Sequence, residues 1–195
     1  MKVSREEAEA NHERIIDAAS RLFRQKGFDG ISVAELMTAA GLTHGGFYGH
    51  FKSKDDLVSR AVQHALARSG AAWTSITGDA DKPFAALIDR YLDEAKLAEP
   101  GPACMFAALA PEGSRRSGDV RRAFADGFRS LTGILAGLLP AALRSRRRAA
   151  SIAVFSEMVG ALVLARSVDD PDLAREILRI VKADLKSRFP DKAAA

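Results

Sequence analysis

Residues 41–54, Gly-Leu-Thr-His-Gly-Gly-Phe-Tyr-Gly-His-Phe-Lys-Ser-Lys, constrain this chain more than any other stretch. A helical pattern ends over residues 36–40, and Gly41 stands where a glycine closes a helix. Thr43, two residues on, is a residue type whose hydroxyl caps the next helix. So short a glycine-containing turn makes the two helices cross steeply, which is the helix-turn-helix arrangement. The second helix carries Thr43, His44, Tyr48 and His50, all able to hydrogen-bond, and no carboxylate stands between Leu36 and Lys54. Such a surface suits a phosphate backbone, because it opposes the anions with neutral or positive groups and helix N-termini only. Gly45 and Gly46 each cost about 1 kcal/mol of helix stability relative to alanine, so close approach of the backbone to another surface explains them better than structure does.

The remaining pattern is helical throughout. Ile15, Ala18, Ala19, Leu22 and Phe23 recur at three- and four-residue spacing and predict a helix over 5–26, stopped by Gly27, with Phe28 plugging a small core. Ser32 and Glu35 form a capping-box pattern ahead of a helix that runs to about residue 40. Ser53 caps a fourth helix over 54–74. Further helices are expected over 83–98, with Pro83 in a first turn, then over 103–110, 119–139, 144–167 and from Pro171 to near Phe189. Polar or proline-containing breaks at 77–82, 99–102 and 111–118 separate them, and the chain frays after Pro190. No alternating strand pattern and no repeat is present. The fold class is therefore all-α with about nine helices: an N-terminal three-helix helix-turn-helix domain over 1–53, and a helical domain over 54–195.

Composition adds exclusions. With 47% hydrophobic residues the chain buries a core, and no apolar run is read as long enough to span a bilayer. The polar start lacks a signal-peptide core, and a single cysteine forms no internal disulfide, so cytoplasmic placement and no membrane partner are expected. The net charge of +4 is not the argument for DNA: residues 1–60 hold nine Lys/Arg and nine Asp/Glu, so the excess lies downstream. His12, His44, His50 and His64 show no metal-ligand spacing, Ser114 has neither a nucleophile elbow nor a nearby histidine, and no glycine-rich phosphate loop occurs. Neither a metal, nor a cofactor, nor an enzymatic activity is expected.

The run from Arg14 to Val58, centred on Phe47-Tyr48-x-His50-Phe51-x-x-Lys54, resembles the TetR family of bacterial one-component regulators. The resemblance implies phosphate contacts from Tyr48, His50 and Lys54, with Lys52 a further DNA-binding candidate and Ser32 serving either as a helix cap alone or also as a phosphate contact. Thr43, His44, Gly45 and Gly46 would face base edges, and only they would carry sequence information. Phe47 reads as core, with a thymine methyl as its alternative partner. Where the family usually has a lysine this chain has His44, and Gly46 replaces a small or hydroxyl residue, which alters the expected operator sequence.

The resemblance also implies a body that holds an effector pocket and a two-fold dimer interface. Trp73, Phe84, Leu87, Tyr91, Cys104, Met105, Phe124 and Phe128 are the candidates for a largely apolar effector, each of them equally explicable as ordinary core. Cys104 sits at the start of a short helix within a segment that resembles cysteine-containing, electrophile-responsive members, although a buried free cysteine is the commoner case. Val154, Met158, Ala161, Leu162, Ile177 and Val181 are the dimer candidates on the last two helices. The reading is a homodimeric, ligand-responsive repressor on a palindromic operator. A same-fold activator or multi-target regulator, and a helical ligand-binding protein without DNA function, remain the alternatives.

Overall fold

The computed structural model describes residues 4–98 and 104–191. Among these residues the structure is helical without a strand: α1 (Arg5–Lys26), α2 (Val33–Ala39), a 3₁₀ turn (His44–Gly46), α3 (Phe47–His50), α4 (Lys54–Gly78), α5 (Pro83–Tyr91), α6 (Ala95–Ala98), α7 (Met105–Gly113), α8 (Gly118–Leu138), a 3₁₀ turn (Ala141–Leu143), α9 (Arg147–Ser167) and α10 (Pro171–Arg188). The chain divides into two compact units, residues 1–67 with 101–127 and residues 68–100 with 128–195. The expected boundary at 53/54 differs from this division, which falls inside α4 and inside α8.

The first unit is built on caps that the sequence advertises. Ser4 accepts from the Glu7 N–H at α1's start, and Gly27, at φ +80°, ends that helix by donating to the Phe23 carbonyl. Ser32 and Glu35 complete the capping box of α2, and Gly41 takes φ +72° at the turn beyond it. Ser53 accepts from the Asp56 N–H and opens α4. Ile15, Phe23, Phe28, Leu36, Met37, Phe47, Phe51, Leu57 and Val62 are buried to within a few per cent and form the core, each worth about 1.5–3 kcal/mol relative to exposure. α7 packs on α1 and adds Met105 and Leu109 to the buried set.

Four expectations are corrected. Thr43 makes no side-chain cap: the third helix opens as a 3₁₀ turn in which the Gly46 N–H bonds to the Thr43 carbonyl at 3.1 Å, and the hydroxyl is not used. The single helix expected over 83–98 is two, because Asp93 starts a fresh turn by accepting from the Ala95 N–H through its side chain and from the Lys96 N–H through its carbonyl. The helix expected to stop before Pro111 runs through it to Gly113. There the Ala110 carbonyl receives the Ser114 N–H and the Pro111 carbonyl receives the Ser114 hydroxyl. Finally, α9 does reach membrane-spanning length and apolarity, since Glu157 is the one charge between Arg148 and Arg166. Its Val154, Phe155, Met158, Ala161, Leu162 and Ala165 are buried against the chain's own helices, as in a core helix.

In the second unit α10 packs on α9 and α5, and α6 packs on α9. Asp170 caps α10 by accepting from the Asp172 and Leu173 N–H groups. Asp191, where fraying was expected, instead accepts from the Phe84 and Ala85 N–H groups at 2.8 and 3.0 Å and so caps α5 from over a hundred residues away. The proline-rich break expected at 99–102 and the frayed tail at 192–195 lie outside the described residues.

Candidate nucleic-acid interface

α2, the Gly41 turn and the helical stretch 44–50 form the helix-turn-helix, and burial sorts its residues into two sides. Phe47 and Phe51 point inward, 1% and 2% exposed, with ring centroids 5.6 Å apart. Phe47 is thus core, and the alternative contact with a thymine methyl is removed: the helix shows a different face to solvent. That face carries Thr43, His44, Gly45, Gly46 and Tyr48, all exposed, with Tyr48 at 75% despite its aromatic ring. His50 is half-buried at the edge, its ring 6.0 Å from that of His12, which stacks on Phe51 at 4.6 Å. Burial, with Arg60 and His50 adding to it, lowers the His12 pKa below its ordinary value, so this imidazole is neutral at neutral pH.

The remaining predicted contacts divide. Ser32 is exposed, but its hydroxyl already serves Glu35, accepting from the Glu35 N–H at 3.2 Å and donating to the Glu35 carboxylate at 2.7 Å. Bonds from the Ser32 N–H and hydroxyl hold that carboxylate below its usual pKa. Lys52 is exposed, while its N–H is bound by Asp56 at 3.0 Å. Burial alone would raise Asp56, yet the Lys52 N–H and the Arg60 guanidinium together keep it below the ordinary carboxylate value. Lys54 differs most from expectation. Its ammonium donates to the Ile31 carbonyl at 2.7 Å, tying α4 to the loop ahead of α2.

That loop is held from two further directions that local pattern could not foresee. Glu112 of α7 accepts from the Phe28 N–H at 2.7 Å. Arg116, its side chain only 17% exposed, bonds to Asp29 at 2.5 Å and Asp55 at 3.3 Å and lies 5.4 Å from the Phe28 ring centroid. The Ser117 N–H donates to the same Asp55. These ties fix residues 27–32, and through them the start of α2, relative to the start of α4. The only trace of them in sequence is a polar Glu-x-x-x-Arg beside a proline, which reads equally well as a solvated loop.

The candidates in the body are placed as follows. Trp73 and Tyr91 of the second unit meet edge to face at 5.9 Å, and both, with Phe128, surround Phe155, which the sequence reading missed. Phe84 lies apart from them, against Phe189, and Leu87 is fully buried. In the first unit Phe124 packs edge to face with Phe106, Met105 is buried, and Cys104 is half-buried just ahead of α7. A surface recess of about 650 Å³ in the second unit is lined by Asp81, Lys82, Asp89, Lys186 and Phe189 among others, and by none of the eight effector candidates. Of the six dimer candidates, Val154, Met158, Ala161 and Leu162 are buried within the chain, and Ile177 and Val181 are half-buried. The large apolar side chains exposed on α9 and α10 are Val163, Leu164, Leu173 and Ile180.

A three-helix headpiece that presents an exposed, carboxylate-free third helix beyond a glycine turn belongs to the helix-turn-helix class. Residues 15–61 match the family profile of bacterial regulatory proteins, tetR family. Over those residues the headpiece is similar to the DNA-binding domain of the TetR family. It is 45% identical over 56 residues to the HTH-type transcriptional regulator AcrR of Shigella flexneri, an alignment covering 29% of this chain and 26% of that protein. It is 31% identical over 98 residues to the tetracycline repressor protein class D of Escherichia coli, covering 46% and 45% of the two chains. The chain thus spans about a quarter to under half of these curated relatives. The fold extends the likeness over nearly the whole length. The reduced form of NemR from E. coli superposes with a TM-score of 0.77 at 21% identity, covering 94% of this chain and 99% of that one. FadR from Bacillus subtilis in complex with stearoyl-CoA gives 0.64 at 17%, covering 88% and 97%.

Proposed function

We propose that this chain is a cytoplasmic transcriptional repressor that binds a two-fold symmetric DNA operator as a homodimer and leaves it when a small, largely apolar effector binds the body. The carrying observation is the exposed face of residues 43–50, where Thr43, His44 and Tyr48 stand free of any carboxylate within a headpiece similar to that of the TetR family. Tyr48, His50 and Lys52 act on phosphates and set register, while Thr43, His44, Gly45 and Gly46 meet base edges. Lys54 and Ser32 act chiefly as internal ties, in keeping with the bonds they make. One short recognition helix reads too few base pairs alone, so a second copy is required, and Val163, Leu164, Leu173 and Ile180 supply an exposed apolar surface for it on α9 and α10. The aromatic group of Trp73, Tyr91, Phe128 and Phe155 is the place for an apolar effector in the second unit, a reading supported by a fold relative that holds stearoyl-CoA. An effector releases DNA only by its differential affinity for the two conformers.

The test is selection of binding sites from a random duplex pool, followed by titration of the enriched sequence at two salt concentrations with Tyr48→Ala and Lys52→Ala alongside. A two-fold symmetric consensus is expected, with both variants weakening binding and Lys52→Ala lowering the salt slope by about one. Sedimentation should give the mass of two chains. Enrichment of no sequence, or binding indifferent to both variants, overturns the reading.

A further inference from the structure

We propose that Gly45 and Gly49 are specificity-determining residues, which keep a side-chain-free face open for the C5-methyl groups of thymines in the operator. The inference rests on the DNA-binding reading above and concerns two residues of that interface, not a second site.

The fold explains several glycines of the first unit but not Gly45, Gly49 or Gly118, and of these three only Gly45 and Gly49 lie on the recognition stretch, Gly118 being the first residue of α8. Gly27 and Gly41 adopt φ of +80° and +72°, which disfavours any side chain. A Cβ on Gly113 would stand 2.4 Å from the Phe124 ring, and one on Gly127 would stand 2.2 Å from Leu66 Cδ1. Gly46 would meet Met37 Cε at 3.7 Å, an ordinary contact. At Gly45 and Gly49, by contrast, nothing lies within 4 Å of an added Cβ and φ is not positive. Alanine would fit both places and strengthen a helical stretch of seven residues that has no side-chain cap on either of its segments.

Open space alone does not select them, because Gly133 inside α8 is as open. Position does. Gly45 and Gly49 are four residues apart, one helical turn, and each is two residues from the buried Phe47, so both lie on the outward side. Exposed His44 and Tyr48 immediately precede them. A glycine offers a base edge no side-chain donor or acceptor; what it offers is room. In the major groove the protruding group that needs room is the thymine methyl. The two glycines therefore read T·A pairs by letting the bare backbone close on the groove with room for the methyl group between them.

The experiment compares the unsubstituted protein with Gly45→Ala, Gly49→Ala and Gly133→Ala on the selected operator, and on the same duplex with deoxyuridine in place of thymidine. Thermal melting of each protein is run in parallel. Expected are unchanged or higher melting temperatures for both headpiece variants, a loss of operator affinity of about tenfold or more, and recovery on the deoxyuridine duplex, where the clashing methyl is absent. Gly133→Ala should bind like the unsubstituted protein. Undiminished affinity in Gly45→Ala and Gly49→Ala, an equal loss on both duplexes, or the same loss in Gly133→Ala overturns the inference while leaving DNA binding intact. Failure of the unsubstituted protein to prefer any duplex overturns both readings.

Discussion

Glu112→Ala should destabilise the first unit by an amount that can be worked from one bond. The Glu112 carboxylate accepts from the Phe28 N–H at 2.7 Å, beside a phenyl ring with no exposed surface. A hydrogen bond to a charged group contributes about 1.5–3 kcal/mol, and an amide left buried without an acceptor costs about 1–3 kcal/mol. We expect a loss of about 2 kcal/mol for Glu112→Ala, or about 4–8 °C in melting temperature for a chain of this size. Glu112→Gln keeps an acceptor oxygen at the same reach and should lose less than about 1 kcal/mol. The assay is urea denaturation with the slope held as a check on two-state behaviour, plus amide exchange at Phe28, which should accelerate in Glu112→Ala and stay slow in Glu112→Gln. If Glu112→Ala lies within about 0.5 kcal/mol of the unsubstituted protein, or the glutamine variant is as damaged as the alanine one, the bond is not what fixes this loop.

Asp191→Ala should cost about 1–2 kcal/mol, since both carboxylate oxygens cap α5 at Phe84 and Ala85 and no side chain at the Lys82 position does so. Exchange of the α5 amides, rather than those of α10, should report that loss. His12 supplies a pH dependence. Its folded-state pKa is lowered from 6.5, so the unfolded chain binds the proton first, and the stability contributed by neutral His12 is complete above that value. It declines as pH falls below about 6.5, and a His12→Gln variant should show a flatter stability profile between pH 7 and 5, measured by urea denaturation at each pH.

Sequence reading succeeded where structure is local. The extent of α1 follows from an apolar stripe and its end from a glycine, and the capping box of α2 is written in Ser32 and Glu35. The exposure of Thr43, His44 and Tyr48 followed from Phe47 and Phe51 occupying the inward positions. It failed where a distant partner or a competing bond decides. Pro111 looks like a stop, but a proline in a last turn removes a single N–H, and Ser114 supplies bonds beyond it. Nothing near Lys54 in the sequence shows that its ammonium also donates to the Ile31 carbonyl, a structural tie beside the phosphate contact expected of it. Val154, Met158, Ala161 and Leu162 read as one apolar face, and periodicity cannot tell a face covered by the same chain from one that awaits another copy.

The three-sided grip on residues 27–32 bears on how this protein can be recombined. The headpiece that the family profile delimits is not a transferable cassette, because two of its ties, Glu112 and Arg116, come from the segment around α7. A chimera that joins residues 1–53 to the body of a relative would inherit the recognition helix without the groups that hold the loop ahead of α2. Such hybrids should fold best when residues 105–117 travel with the headpiece, so that exchange of DNA specificity between relatives follows the physical unit and not the contiguous stretch of chain.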